Sequence, residues 1–251
     1  VQTVNVDLTA FDKSSGEIEF GPVSLNTFWS AVGGSCAQNN GGDPIVQFDK
    51  INNRWVIMQI QCSGFGGGGG NYLCVAVSNE DNWKASDFQF NAYAYKFSTL
   101  TDYPKMGIWN DGYYVTFNAF KGFGTFAGPV ACAFDGATMR SGGSAAVQCA
   151  ALSTKYSSLL PADIDSSSQA PITNEPEYLV SMGNNSLNVW RFHVDWNNSA
   201  NSVLTGPVNA AFDYHSIAFS PACGGWNLHS AVGHYPATRL SGRPIDVSAC
   251  V

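Results

Sequence analysis

Charge is scarce in this chain. Charged residues make up 12% of its 251 positions, about half the usual share. Only twelve are basic, and they are scattered along the sequence. That excludes the clustered Lys/Arg footprint by which nucleic acid or an anionic membrane surface is bound; the net charge of −7 is read as a solubility feature. No stretch approaches the ~20 consecutive apolar residues of a membrane-spanning helix. No segment longer than about ten residues keeps a helical apolar stripe. The seven cysteines never fall in CxxC or CxxH spacing, so zinc and thioredoxin-like chemistry are not expected. GxSxG, SxxK and HExxH are also missing, which leaves no ready nucleophile or zincin motif. The Gly66–Gly70 run lacks the Lys-Ser/Thr that would make it a phosphate cradle.

What is present is period-two alternation. VQTVNVDL, PIVQFD, RWVIMQI, LCVAVS, FQFNAYAYKF, YYVTFNAF, VACAFD, YLVSMG, LNVWRFHVDW and VNAAFDY all read as strands. Between them lie turns with a mechanism: DKINN at 49–53, Asn110-Asp111-Gly112, and Gly183-Asn184-Asn185. Ala137–Met139 reads as the start of one short helical turn. The expected class is all-β, built from antiparallel meanders.

A faint repeat of about sixty residues runs through the chain. Asp43-Pro44, a short strand, a turn and Arg54-Trp55-Val56 make one copy. Asp102-Tyr103-Pro104, a strand, an Asn-Asp-Gly turn and Tyr113-Tyr114-Val115 make the second. Pro161-Ala162-Asp163 followed by Tyr178-Leu179-Val180 makes a degenerate third. Repeated β units of this size suggest the blades of a β-propeller-like array; a β-sandwich is the alternative, but it has no reason to repeat an Asp/Pro strand opening.

The stretch NNGGDPIVQFDKINNRWV, with CVAVS, DYPKMGIWNDGYYVTFNAF, ACAFDGATM, SSLLPADID and LNVWRFHVDW, resembles a family of large secreted bacterial proteins. That family is mostly uncharacterised, β-propeller or sialidase-like in expected fold, and often carries adhesion-type domains. The resemblance covers residue 1 to about 225 and implies a secreted module. It brings no defined catalytic residues. No signal peptide is visible, Val1 opening directly on the alternating run, so any leader is expected to have been removed or to lie outside this sequence; the lead-in that members carry before the VQTVNVDL strand is also missing here.

After Pro221-Ala222-Cys223 the likeness stops. The family continues roughly as GTCIPQ and, later, LDSLGDRLMYRLAY. Thr238–Val251, encoded with suitable codons and read one base on, gives LDSLGDRLMYRLA. Residues 226–251 are therefore expected to be a frameshifted tail, leaving residues 1–225 as an incomplete propeller of about four blade-sized units. Open sheet edges in such an array favour self-association.

Low Lys/Arg content and Asn/Ser-rich loops suit an oxidising compartment, where cysteines pair. Cys132 and Cys149 flank a short Gly-rich excursion and form one expected pair. Cys36 and Cys74 form another, with Cys62 as a rival partner. In the resembled family the Cys132/Cys149 bracket recurs, as do Cys36 and Cys74. Cys223 and Cys250 have no assigned partner.

The candidate site follows from the repeat. In propellers the first strand of each blade starts near the central axis, so Asp43, Asp102 and Asp163 are expected to converge there. Three axial carboxylates could serve acid/base work on a glycosidic bond; the competing reading is that each caps a strand opening through backbone N–H groups. A sialidase's SxDxGxxW box is absent, and Arg54, Arg140 and Arg191 are dispersed. Trp109 and Tyr113, with Trp83 and Trp196, are candidate sugar-stacking platforms, set against the commoner role of aromatics in the core. Asp163-x-Asp165 with Ser167 is a partial Ca²⁺ loop without the Gly and distal Glu of an EF-hand; no other cofactor is suggested. The expected function is a secreted binding module for a glycan or cell-surface ligand, with an axial-carboxylate glycoside hydrolase as the alternative.

Overall fold

A computed structural model describes residues 1–62, 70–85, 87–122, 124–164 and 174–211. The expected frameshifted tail, Asp165, Ser167, Cys223 and Cys250 lie outside the described residues.

The described residues form four antiparallel sheets in strict chain order, and none of them is closed. The first holds β1 (Gln2–Val4), β2 (Asp7–Phe11) and β3 (Ile18–Ser24). A 3₁₀ turn (Leu25–Trp29) and the short α1 (Gly34–Gln38) follow. The second sheet runs β4 (Ile45–Asp49), β5 (Arg54–Cys62), β6 (Asn71–Ser78) and β7 (Phe90–Phe97). The third runs β8 (Leu100–Ile108), β9 (Gly112–Lys121), β10 (Thr125–Asp135) and β11 (Val147–Ala151), with α2 (Gly136–Ser141) between the last two. The fourth runs β12 (Leu160–Pro161), β13 (Glu177–Gly183), β14 (Ser186–His193) and β15 (Val203–Ala211). The second strands β5, β9 and β13 carry the three RWV, YYV and YLV segments of the repeat.

Two local expectations change. VQTVNVDL is not one strand but a hairpin, because Asn5-Val6 turns the chain and Val4 pairs back onto Asp7. The helical turn at Ala137–Met139 is α2, started by the Asp135 carboxylate, which accepts a hydrogen bond from the Thr138 N–H at 3.0 Å.

Three apolar cores lie between the four sheets. Leu8 and Ala10 pack toward Ile57 and Ala76. Met58 and Val75 pack toward Val115, Phe117 and Phe134. Tyr114 and Ala133 pack toward Leu179, Trp190 and Phe192. The central sheets thus bury both faces, which is why β5 and β6 read as nearly continuous apolar runs rather than alternating ones. A two-layer sandwich has a single core; sheets stacked in series, each sharing a core with the next, make a propeller-like array. The first strands also touch in series, β1 against β4, β4 against β8, and β8 against β12. At the last of these contacts Gly107 is required: a Cβ there would collide with the Ala162 carbonyl oxygen.

Polar pins cross the cores. The Trp29 indole N–H donates to the Val75 carbonyl at 3.1 Å. Buried Asp49 accepts from the Ile51 and Asn52 N–H groups, each at 3.0 Å, and its other oxygen accepts from the Tyr113 hydroxyl at 3.0 Å. One side chain therefore closes the β4–β5 turn and ties the second sheet to the third. Asp12 and Asp195 cap their own turns in the same i+2, i+3 manner.

Cys36–Cys74 links α1 to β6, with Cα atoms 5.9 Å apart. Cys132–Cys149 joins directly opposed residues of β10 and β11. Cys62, the rival partner, stays a free thiol. Two such bonds fit an oxidising compartment. No helix among the described residues is long and apolar enough to cross a membrane.

Candidate functional site

Adjacent first strands carry two of the three expected aspartates to one place. The Ile60 N–H donates to the Gly42 carbonyl on one side, and Thr101 pairs with Ala119 on the other. Asp43 and Asp102 each follow directly on those rungs. Both precede the last residue of their strand, Asp49 or Ile108, by the same six positions. They thus occupy matching positions at the opening ends of β4 and β8.

The backbone there is unusual. Asp43 (φ 48°) and Tyr103 (φ 55°) are non-glycine residues in the left-handed region, and Ser158, just before β12, is a third (φ 52°). Each such residue costs on the order of 1 kcal/mol or more, a cost tolerated where surrounding structure fixes a side chain in place. A break in the β8–β9 ladder between Asp102 and Lys105 re-aims the intervening side chains.

Four ionisable groups meet at this end. The Lys105 ammonium stands 3.5 Å from the centre of the Tyr103 ring and donates to the Pro104 carbonyl at 3.1 Å. Burial lowers the pKa of Lys105, and the charges of Asp43 and Asp102 oppose that shift. Burial raises the Asp102 carboxyl above its ordinary value, and the neighbouring Asp43 charge raises it further. The Tyr103 hydroxyl is raised by the same two causes. Asp43 itself is exposed. Gln47 on β4 donates to the Met106 carbonyl at 2.9 Å, stitching β4 to β8, while its own side-chain oxygen is buried without a partner among the described residues. The combination of an exposed carboxyl, a second carboxyl with a raised pKa, an ammonium and a phenol can hold a hydroxyl-rich ligand or support proton transfer.

Asp163 does not join them. It follows β12 rather than opening it, and its carboxylate accepts from the Ile108 N–H at 2.9 Å, at the closing end of β8. Six strand residues separate Ile108 from Asp102, about 20 Å. The degenerate third repeat hid this: its Pro161 falls inside the strand, so the acid after it lands at the opposite end. There it stands near buried Glu177 and half-buried Asp111. The Tyr114 hydroxyl donates to both Asp111 oxygens at 3.1 Å, and burial raises the Asp111 carboxyl.

Trp109 and Tyr113 are not platforms. Trp109 is 8% exposed, donates to the Glu175 carbonyl at 2.9 Å, and meets Tyr178 edge-on. Tyr113 is 1% exposed and spent on Asp49. Trp83 packs in the first core, and Trp196 donates to the Asp111 carbonyl at 3.0 Å. All four lie against sheet-to-sheet cores, where a ring removes the most surface from water. Among the described residues no group of three or more His, Cys, Asp or Glu is placed to hold a metal ion.

Sequence reasoning missed Tyr103 and Lys105, although both sit in the DYPK segment beside Asp102. The signal was an acid, an aromatic and a base packed around a proline at a strand opening. No protein-family model, curated protein or solved structure matches the chain.

Proposed function

We propose that this chain is a secreted propeller-like module that binds a hydroxyl-rich ligand, of the glycan class, at the opening ends of β4 and β8. One observation carries the reading: Asp43 and Asp102, from separate sheets, stand at matching positions beside Tyr103 and Lys105. Carboxylates accept from sugar hydroxyls and an ammonium donates to them, and charge-assisted hydrogen bonds are the stronger kind. The face of Tyr103 is already covered by Lys105, so recognition rests on polar contacts rather than ring stacking. Secretion is supported by the two disulfides and by the resemblance of the sequence to secreted bacterial proteins.

The test is a glycan array followed by calorimetry on the best ligand. Asp102→Asn and Lys105→Met are expected to weaken binding at least about tenfold each, the loss of one charged hydrogen bond. Uniform non-binding by the folded protein would sink the reading.

A second reading, a glycoside hydrolase, is favoured by one specific feature. Asp102 is held toward its protonated form beside a solvent-open Asp43, and acid/base pairs are made by environments that push two carboxyls apart. Turnover of aryl glycosides that disappears in Asp102→Asn would select it over simple binding.

A further inference from the structure

The face of the third sheet that carries Asp102 and Lys105 runs on past them into an apolar end. Register sets Lys105 opposite Thr116, Asp102 opposite Asn118 and Leu100 opposite Phe120. Phe120 is in turn opposite Phe126 on β10. Thr116, Asn118 and Phe120 alternate along β9, so they and their cross-strand partners share one face. The chain leading into β12 covers that face as far as Asn118. The Thr116 hydroxyl donates to the Leu159 carbonyl, and the Ser158 N–H donates to the Asn118 side-chain oxygen at 3.0 Å. One rung further out, the Phe120 and Phe126 rings meet with centroids 5.5 Å apart and planes tilted by 54°. Both rings and Leu100 are half-buried. Among the described residues, all three stand outside the three apolar cores.

We propose that the Phe120–Phe126 pair is a stacking subsite beside the polar groups of Asp102 and Lys105, and that the ligand is an oligosaccharide of two or more pyranose units with equatorial hydroxyls. One unit is held by the polar groups, and the next lies with its C–H face on Phe120. This rests on the glycan-binding reading above and adds the length and ring type of the ligand. Continuity is the first support: the ammonium, the carboxyl and the rings follow one another along one face, with a step of about 7 Å from the Asp102 rung to the Phe120 rung. The second is complementarity. Ligand sites join a few orienting polar groups to an apolar or aromatic wall. Lys105 already covers the Tyr103 ring, so the unit at Asp102 meets polar contacts and the wall falls to Phe120. The ring type follows from the side chain itself. Phenylalanine has no hydrogen-bonding group, so an axial hydroxyl pressed onto it would lose water without a partner. A pyranose with equatorial hydroxyls offers C–H faces instead.

Calorimetric titration of the full chain with glucose, cellobiose and cellotetraose, and with N-acetylglucosamine, chitobiose and chitotetraose, tests this. In at least one series the disaccharide is expected to bind about tenfold more tightly than the monosaccharide, the worth of one aromatic stack. Phe120→Ala and Phe120→Leu are expected to abolish that gain, and Phe120→Tyr to keep it. Leucine retains the apolar bulk without the ring, so loss of the gain in Phe120→Leu, with an unchanged circular dichroism spectrum and Tm, separates stacking from folding. Asp102→Asn is expected to weaken monosaccharide and disaccharide alike. A gain that survives Phe120→Leu, or no gain in either series, overturns the subsite and leaves the polar site standing. Silence from all six sugars overturns it as well, and the glycan-binding reading falls with it only if the glycan array is also silent.

Discussion

Glu177→Gln turns one buried carboxyl into a measurable slope. Glu177 opens β13 with no exposed surface, and neither carboxylate oxygen has a hydrogen-bond partner among the described residues. The nearby Ala162 N–H is spent on the Tyr178 carbonyl at 2.9 Å. Burial pushes the Glu177 pKa well above its ordinary value of 4.5, and the charges of Asp111 and Asp163 push the same way. The folded state therefore keeps the proton while the unfolded state releases it near pH 4.5. Below that pH both states are protonated and the residue imposes no ionisation penalty. Above it the unfolded state binds fewer protons, so stability falls by about 1.4 kcal/mol per pH unit until the folded carboxyl also ionises. Glutamine has the same shape and cannot ionise. The variant is expected to match wild type near pH 4 and to exceed it by a margin that widens toward neutrality. Urea denaturation at half-unit steps from pH 4 to pH 8 reads this directly, since the difference between the two curves cancels every other titrating group. Parallel curves, or a variant less stable at pH 7, would refute the reasoning by showing that folded Glu177 is charged and paired.

Gly107→Ala is expected to destabilise by about 1–3 kcal/mol, because its methyl meets the Ala162 carbonyl of a packed neighbouring strand; an unchanged thermal midpoint would mean that β8 and β12 do not approach so closely. Asp49→Ala removes the acceptor for two turn N–H groups and the Tyr113 hydroxyl. It is expected to cost several kcal/mol in chemical denaturation, against about 1 kcal/mol for Tyr113→Phe, and a double-mutant cycle should return a positive coupling. Peptide mapping without reductant should recover Cys36–Cys74 and Cys132–Cys149 as linked pairs and Cys62 as an alkylatable thiol. Closing the 17-residue separation of Cys132 and Cys149 is worth about 3 kcal/mol by loop entropy, which the double alanine variant should lose.

Local rules carried the sequence a long way. Period-two alternation set the strands because a pleated chain shows its faces in turn, and turn residues such as Asn53 and Asn185, both with positive φ, set most of the hairpins. The repeat placed β5, β9 and β13 as equivalent second strands. Alternation says only that two faces differ, however. In the two central sheets both faces are buried, so nothing local told Trp109 and Tyr113 which neighbour they would face, or that water would not reach them. The meeting of Asp43 with Asp102, and the removal of Asp163 to the far end, depend on how separate first strands are stacked against one another. Sequence determined the sheets and the chemistry its acids offer; only the packing between sheets, through contacts some sixty residues apart such as Asp49 to Tyr113, decided which side chains share a site.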